Sequence, residues 1–99
     1  MKKYRMILLP LIFTSCASKN PNALTSEGRS VNIIKTRMAP KSCEALGKVE
    51  GINDMGVIDI SRNIARNQAG DLGANSLLIK DEVINGKNAS VLGIAYNCQ

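Results

Sequence analysis

The chain has 99 residues, of which thirteen are Lys or Arg, eight are Asp or Glu and none is His. Three of the basic residues lie within the first five positions, so the net charge of +5 falls to +2 for the remainder. This near-neutral balance, with only three aromatic residues, excludes the basic surface and stacking platform of a typical nucleic-acid-binding protein. The length allows one small domain with a thin margin of stability.

The first fifteen residues have the order of a bacterial export signal. Lys2, Lys3 and Arg5 form a cationic start, and residues 6–13 form an apolar run interrupted only by Pro10. The run is shorter than the ~20 residues of a permanent transmembrane helix and lies within the ~7 to 15 of a cleavable signal core. We therefore expect the leader to be removed as a signal peptide.

The cleavage region, residues 13–16 (FTSC), resembles the lipobox of bacterial lipoproteins, in which small residues precede an obligatory cysteine. The resemblance implies that Cys16 becomes the lipidated N-terminus, with diacylglyceryl and acyl (palmitate) chains that hold the protein at a bilayer. Ala17 and Ser18 follow, without the Asp of inner-membrane retention, which implies the periplasmic face of the outer membrane. The alternatives are an ordinary signal peptide and an N-terminal membrane helix that contains a Cys.

The next segment predicts a flexible tether. Residues 17–30 are rich in Ser, Asn and Thr and contain one large apolar residue, Leu24, so they can bury little surface. The sequence is thus divided into a signal peptide at 1–15, a lipidated Cys with its tether at 16–30, and a small periplasmic domain at 31–99.

With Cys16 assigned to lipid, Cys43 and Cys98 remain as an even pair in an oxidising compartment, which favours a disulfide. The bond would close a loop of about 56 residues and stabilise the domain by about 4 kcal/mol. A redox pair or a metal site is the alternative, but these need CxxC spacing or His ligands. We expect no cofactor and no metal.

Two stretches predict strands before the first helical pattern. Residues 31–38 begin with alternating β-branched side chains, and Pro40 ends the stretch because proline cannot donate to a strand ladder. Residues 47–52, bounded by glycines, predict a second short strand.

Residues 57–72 change to the period of an amphipathic helix, with apolar side chains at steps of three and four. Asp59 or Ser61 is expected to cap its start, and Gly73 to end it in a left-handed conformation. Arg62 and Arg66 are four apart and are expected to project together. They form either a solvated face or a contact for lipid headgroup phosphates or an acidic partner.

Residues 76–84 and 89–97 predict two strands joined by a hairpin, because Asn85-Gly86 between apolar runs is a strong turn signal. The order strand, strand, helix, strand, strand predicts an α+β fold. We expect one amphipathic helix packed on one face of a small, about four-stranded sheet, stapled by one disulfide.

Three segments carry a resemblance to a protein family: residues 42–51 (SCEALGKVEG), 72–79 (LGANSLLI) and 93–98 (GIAYNC). Together they resemble small bacterial outer-membrane lipoproteins and, more distantly, the periplasmic domain of the Rcs phosphorelay stress-sensor lipoprotein. The resemblance implies a lipid-anchored envelope protein that reports envelope damage.

These features predict a non-enzymatic, lipid-anchored interaction module that binds an envelope protein and includes envelope-stress sensing among its roles. One alternative is a structural lipoprotein that supports the outer membrane or peptidoglycan. Another is a redox-active thiol protein, which would need a free, acidic thiol at Cys43. An enzyme is disfavoured because the sequence contains no His, no GxSxG and no phosphate loop.

Overall fold

The computed structural model describes residues 23–99, so the expected signal peptide and lipidated Cys16 lie outside the described residues. In chain order the elements are α1 (Ser26–Arg29), β1 (Asn32–Ile34), β2 (Cys43–Asn53), α2 (Ile58–Asp71), β3 (Ser76–Asn85) and β4 (Asn88–Cys98). The strands form one sheet in the order β1-β3-β4-β2, with β1 parallel to β3 and the other pairs antiparallel. One main helix on a four-stranded sheet confirms the predicted α+β class.

The core lies between α2 and one face of the sheet. Leu77, Val91 and Ala95 of the sheet meet Ala65 and Ala69 of the helix, and all five are completely buried. Because the helix contributes mainly methyl groups, its backbone approaches the sheet closely. The aliphatic bulk of the core therefore comes from the strands.

The start of α2 differs from the prediction that Asp59 or Ser61 caps it. The helix begins after Val57 with no side-chain cap bond. Asn53, at the end of β2, holds this start instead. Its Oδ1 accepts from the backbone N–H of Met55 at 2.9 Å, and its Nδ2 donates to the Val57 carbonyl at 2.6 Å.

Ser61 lies one turn further on and is completely buried. Its hydroxyl donates to the Ala89 carbonyl at 2.8 Å and accepts from Asn53 Nδ2 at 2.6 Å. Ser61 therefore ties α2 to two strands and cannot act as a cap. At the other end of the helix, Gly73 has a φ of +84°, as predicted.

The first two strands have different lengths from those predicted. β1 contains three residues rather than the eight of 31–38, whereas β2 begins at Cys43 and is longer than 47–52. These strands lie at opposite edges of the sheet, so residues 35–42 have to cross it. Residues 37–40 of this connection line a pocket together with Leu78 and Tyr96, which alternate with the core residues Leu77 and Ala95 and so lie on the face opposite α2.

The hairpin of β3 and β4 is confirmed, with Asn85 opposite Asn88 and a two-residue loop between them. Gly86 in this loop has a φ of +63°, the left-handed conformation that favours glycine. The connection is therefore the short turn that the Asn-Gly pair indicated.

Residues 23–30 correct the prediction of a flexible tether that extends to residue 30, because they are docked on α2. Asn67 of α2 accepts from the backbone N–H of Thr25 at 2.9 Å and donates to the Ala23 carbonyl at 2.8 Å. Gly28 is buried against Asn67, where a Cβ would overlap the amide oxygen. This docking depends on hydrogen bonds and a close approach, so a low apolar content does not reveal it.

We expect Asn67→Ala to release residues 23–30 without unfolding the sheet. Loss of two or three hydrogen bonds, each worth about 1 kcal/mol, raises the open population of this segment roughly 30- to 150-fold. The measurement is the rate of tryptic cleavage after Arg29, followed by mass spectrometry. Asn63→Ala, one turn earlier on α2, is the control, and equal cleavage rates in the two variants would contradict the prediction.

Candidate functional site

The outer edge of β3 is open beyond its first three residues. β1 pairs only with the first three residues of β3, Ser76 to Leu78, while β3 continues to Asn85. From Ile79 onwards, no strand among residues 23–99 covers this side of β3. A groove of about 520 Å³ lies where β1 leaves the sheet. Its lining residues are Ile33, Lys35, Arg62, Ile79, Lys80, Asp81 and Glu82.

Arg62 reaches from α2 to this edge and is held there by two carboxylates. Its Nε and Nη2 donate to the two oxygens of Glu82 at 2.6 and 2.9 Å, and its Nη1 donates to Asp59 at 2.9 Å. The hydrogen bond to Arg62 lowers the pKa of Glu82 from its ordinary 4.5, and the same hydrogen bond raises the pKa of Arg62. The charge of Arg62 is therefore compensated within the domain.

Arg66 has a different environment, so the two arginines do not form one free patch. Its Nη2 donates to the Val31 carbonyl at 2.9 Å, and its Nε is buried with no hydrogen-bond partner among the described residues. Arg66 thus joins α2 to the segment before β1. The expected contact of both arginines with headgroup phosphates or an acidic partner stays a prediction.

The opposite edge of the sheet, β2, is capped by a side chain. Gln68 of α2 donates from Nε2 to the Glu50 carbonyl at 2.8 Å and accepts from the Glu50 N–H at 2.9 Å. Both outward backbone groups of Glu50 are therefore satisfied, as they would be by a neighbouring strand. Exposed edges invite pairing with another chain, and this cap blocks such pairing at Glu50.

The predicted disulfide is present, since Cys43 and Cys98 are bonded to each other. The two residues are directly opposite in the ladder of β2 and β4. Asn75 holds the same end of β4, because its side chain accepts from the Cys98 N–H at 2.8 Å and donates to the Cys98 carbonyl at 2.7 Å. Cys43 therefore has no free thiol in this structure, whereas the redox alternative requires one.

Sequence reasoning missed the structural roles of Asn53, Asn67, Gln68 and Asn75. On the outer side of an amphipathic helix, an amide side chain occupies a polar position in the sequence pattern whether it faces water or bonds to a backbone group. The one signal was indirect: Asn53, between a strand and a helix, is a residue type that commonly bonds to nearby backbone.

Within residues 23–99, no group of three or more His, Cys, Asp or Glu side chains is arranged to hold a metal ion. No helix in the same part of the chain has both the length and the apolar character needed to cross a membrane. The groove at β3 combines two features that suit a macromolecular contact, an uncovered strand edge and a partly apolar lining.

Comparison with known proteins adds a family to this description. Neither the curated proteins nor the solved structures give a significant match to the chain. A family described as "Domain of unknown function (DUF4156)" matches residues 22–98, which include every helix and strand described above. Because this match spans more than half of the chain, the protein belongs to the DUF4156 family.

Proposed function

We propose that this protein is a non-catalytic, lipid-anchored module of the periplasmic face of the outer membrane that binds an envelope protein. The observation that carries the proposal is the docking of residues 23–30 on α2. Cys16, with its resemblance to a lipobox, precedes Ala23 by seven positions. A segment of this length spans at most about 25 Å, so the domain would lie close to its anchor.

The docking also supports a preferred orientation of the domain. Ala23 is held at Asn67, so the described chain begins on the side of the sheet that α2 covers. A lipid at Cys16 would therefore keep α2 nearer to the bilayer and leave the opposite sheet face on the far side. That face has partly exposed apolar residues, including Leu92 and Ile52, which suit contact with a protein partner.

The resemblance to the Rcs sensor lipoprotein is the reason that the proposal includes stress sensing. A small domain anchored close to a membrane would suit that role. A sensor of this kind needs a fixed position and a binding surface, but no reaction. The low net charge beyond the leader favours a protein partner over a nucleic acid.

The first test is the mass of the mature N-terminal peptide isolated from bacterial membranes. We expect cleavage before Cys16 and a lipid on its sulfur and amino group. We expect Cys16→Ser to leave the membrane fraction, while the matched variant Ser18→Ala stays in it. An unmodified thiol at Cys16 with the leader still attached would overturn the anchor.

The second test addresses the role. A strain without the gene is expected to lose the response of an envelope-stress reporter to membrane-active agents, and the natural chain but not Cys16→Ser is expected to restore it. An unchanged reporter would contradict stress sensing. Recovery of the protein on purified sacculi would favour the structural lipoprotein instead.

A further inference from the structure

We propose that the open edge of β3 pairs with the same edge of a second copy of this chain, in an antiparallel register centred on Val83. The pairing would join two four-stranded sheets into one continuous sheet. This inference rests on the proposed membrane anchor for its geometry, and the experiment below separates the two.

The backbone of β3 has hydrogen-bonding groups that point away from the sheet. In an antiparallel pair, alternate residues bond to the partner strand, and Asn85 and Asn88 flank a two-residue loop as one bonded pair. Because bonded residues alternate along β3, the backbone of Val83, two residues before Asn85, also bonds to β4. Glu82 and Ile84 therefore direct their N–H and C=O groups to the open edge. Among the described residues, no side chain caps these groups as Gln68 caps Glu50.

The side chains of this edge select the register. With Val83 opposite Val83 of the second copy, Glu82 lies opposite Ile84, and Asp81 lies opposite Asn85. No like charges then face each other. Centring the pair on Glu82 or Asp81 would place two carboxylates opposite each other, and centring it on Ile84 would shorten the overlap.

The same edge exposes two apolar side chains directly after the charged residues 80–82. Val83 and Ile84 are 47% and 57% exposed, although edge strands are normally protected by charged residues. In the proposed register the two Val83 side chains meet on one face. Ile84 of each copy lies beside Glu82 of the other, next to the groove that β1 vacates.

The symmetry of the pair suits two chains in one membrane. Antiparallel edges are related by a two-fold axis perpendicular to the sheet, so α2 of both copies lies on the same face. The points where residues 23–30 dock on α2 then also lie on one face, as two anchors in a single bilayer require. Confinement to that bilayer raises the effective concentration of an interface too small to be strong in solution.

The test uses the full chain in intact bacteria, with Val83→Cys compared with Ile52→Cys. Val83, Ser90 and Ile52 form one row across the sheet, so Ile52 lies on the same face but at the β2 edge and is similarly exposed, at 55%. After mild oxidation we expect at least tenfold more disulfide-linked dimer from Val83→Cys. Its tryptic peptide 81–87 should be linked to a copy of itself.

Equal yields from the two variants, or no dimer from either, would overturn the pairing. A linked product with another protein instead of a second copy would overturn it too, because the edge would then bind a different chain. The mass of the Cys16 peptide is measured in the same sample. Lost crosslinking with intact lipid counts against the pairing alone, and crosslinking without lipid counts against the anchor alone.

A charge exchange tests the register independently. Val83→Lys and Val83→Glu should each reduce co-purification of two differently tagged copies at least tenfold, because like charges meet at the axis. Co-expression of the Lys and Glu variants should restore it to within twofold of the natural chain. Co-purification that is unchanged by Val83→Lys, or not restored in the mixed pair, would contradict a centre at Val83.

Discussion

Reduction of the disulfide between Cys43 and Cys98 is expected to lower the free energy of unfolding by about 4 kcal/mol. The bond joins residues 55 positions apart, so it removes much of the conformational freedom of the unfolded chain. The loss is a large share of the 5–15 kcal/mol that is typical of a whole domain.

The folded state should change little on reduction, because Asn75 holds both backbone groups of Cys98 and the ladder of β2 and β4 continues from this pair to Asn53 and Ala89. Urea unfolding with and without reductant measures the effect. The double variant Cys43→Ala, Cys98→Ala should match the reduced natural protein and should not respond to reductant. An unchanged unfolding midpoint for the reduced natural protein would show that the bond contributes no stability.

Gly51→Ala is expected to lower the free energy of unfolding by about 3 kcal/mol, at the upper end of the range for overpacking. A Cβ at this position would overlap the carbonyl oxygen of Ser61 and lie 2.8 Å from the backbone nitrogen of Ala65. Both are backbone atoms of α2, so no side-chain rotation relieves the overlap. The whole helix would have to move away from β2.

Gly47→Ala is the matched control, since it lies on the same strand and the nearest atom to its Cβ is a methyl of Leu72 at 3.4 Å. We expect that variant to be neutral or slightly stabilising, because alanine reduces the freedom of the unfolded chain. Thermal or urea unfolding of both variants gives the comparison. Similar stabilities for Gly51→Ala and Gly47→Ala would contradict the close contact between α2 and β2.

The two edges of the sheet differ in what α2 contributes to them. Gln68 satisfies the outward backbone groups of Glu50 on β2, whereas Arg62 bonds to the side chain of Glu82 on β3 and not to its backbone. The second arrangement leaves the backbone of β3 open to a partner. The proposed pairing uses β3 because the exposed Val83 and Ile84 lie on this edge and their register avoids like charges.

The amino-acid sequence by itself determined the fold class, the helix, the hairpin and the disulfide partners. Each of these features depends on the spacing of nearby residues or on the number of residues of one type. The helix follows from the spacing of apolar side chains across 57–72, and the hairpin from Asn85-Gly86. The disulfide follows from the parity of the cysteines once Cys16 is assigned to lipid.

Only the tertiary structure decided the strand order, the docking of residues 23–30 and the separate environments of Arg62 and Arg66. These features depend on contacts between residues far apart in the chain, such as Asn67 with Ala23 and Arg62 with Glu82. Amide and charged side chains on a helix surface have the same spacing whether they meet water or a distant backbone. The open edge of β3 likewise exists because β1 ends at Ile34, where the chain turns to cross the sheet and reach the opposite edge.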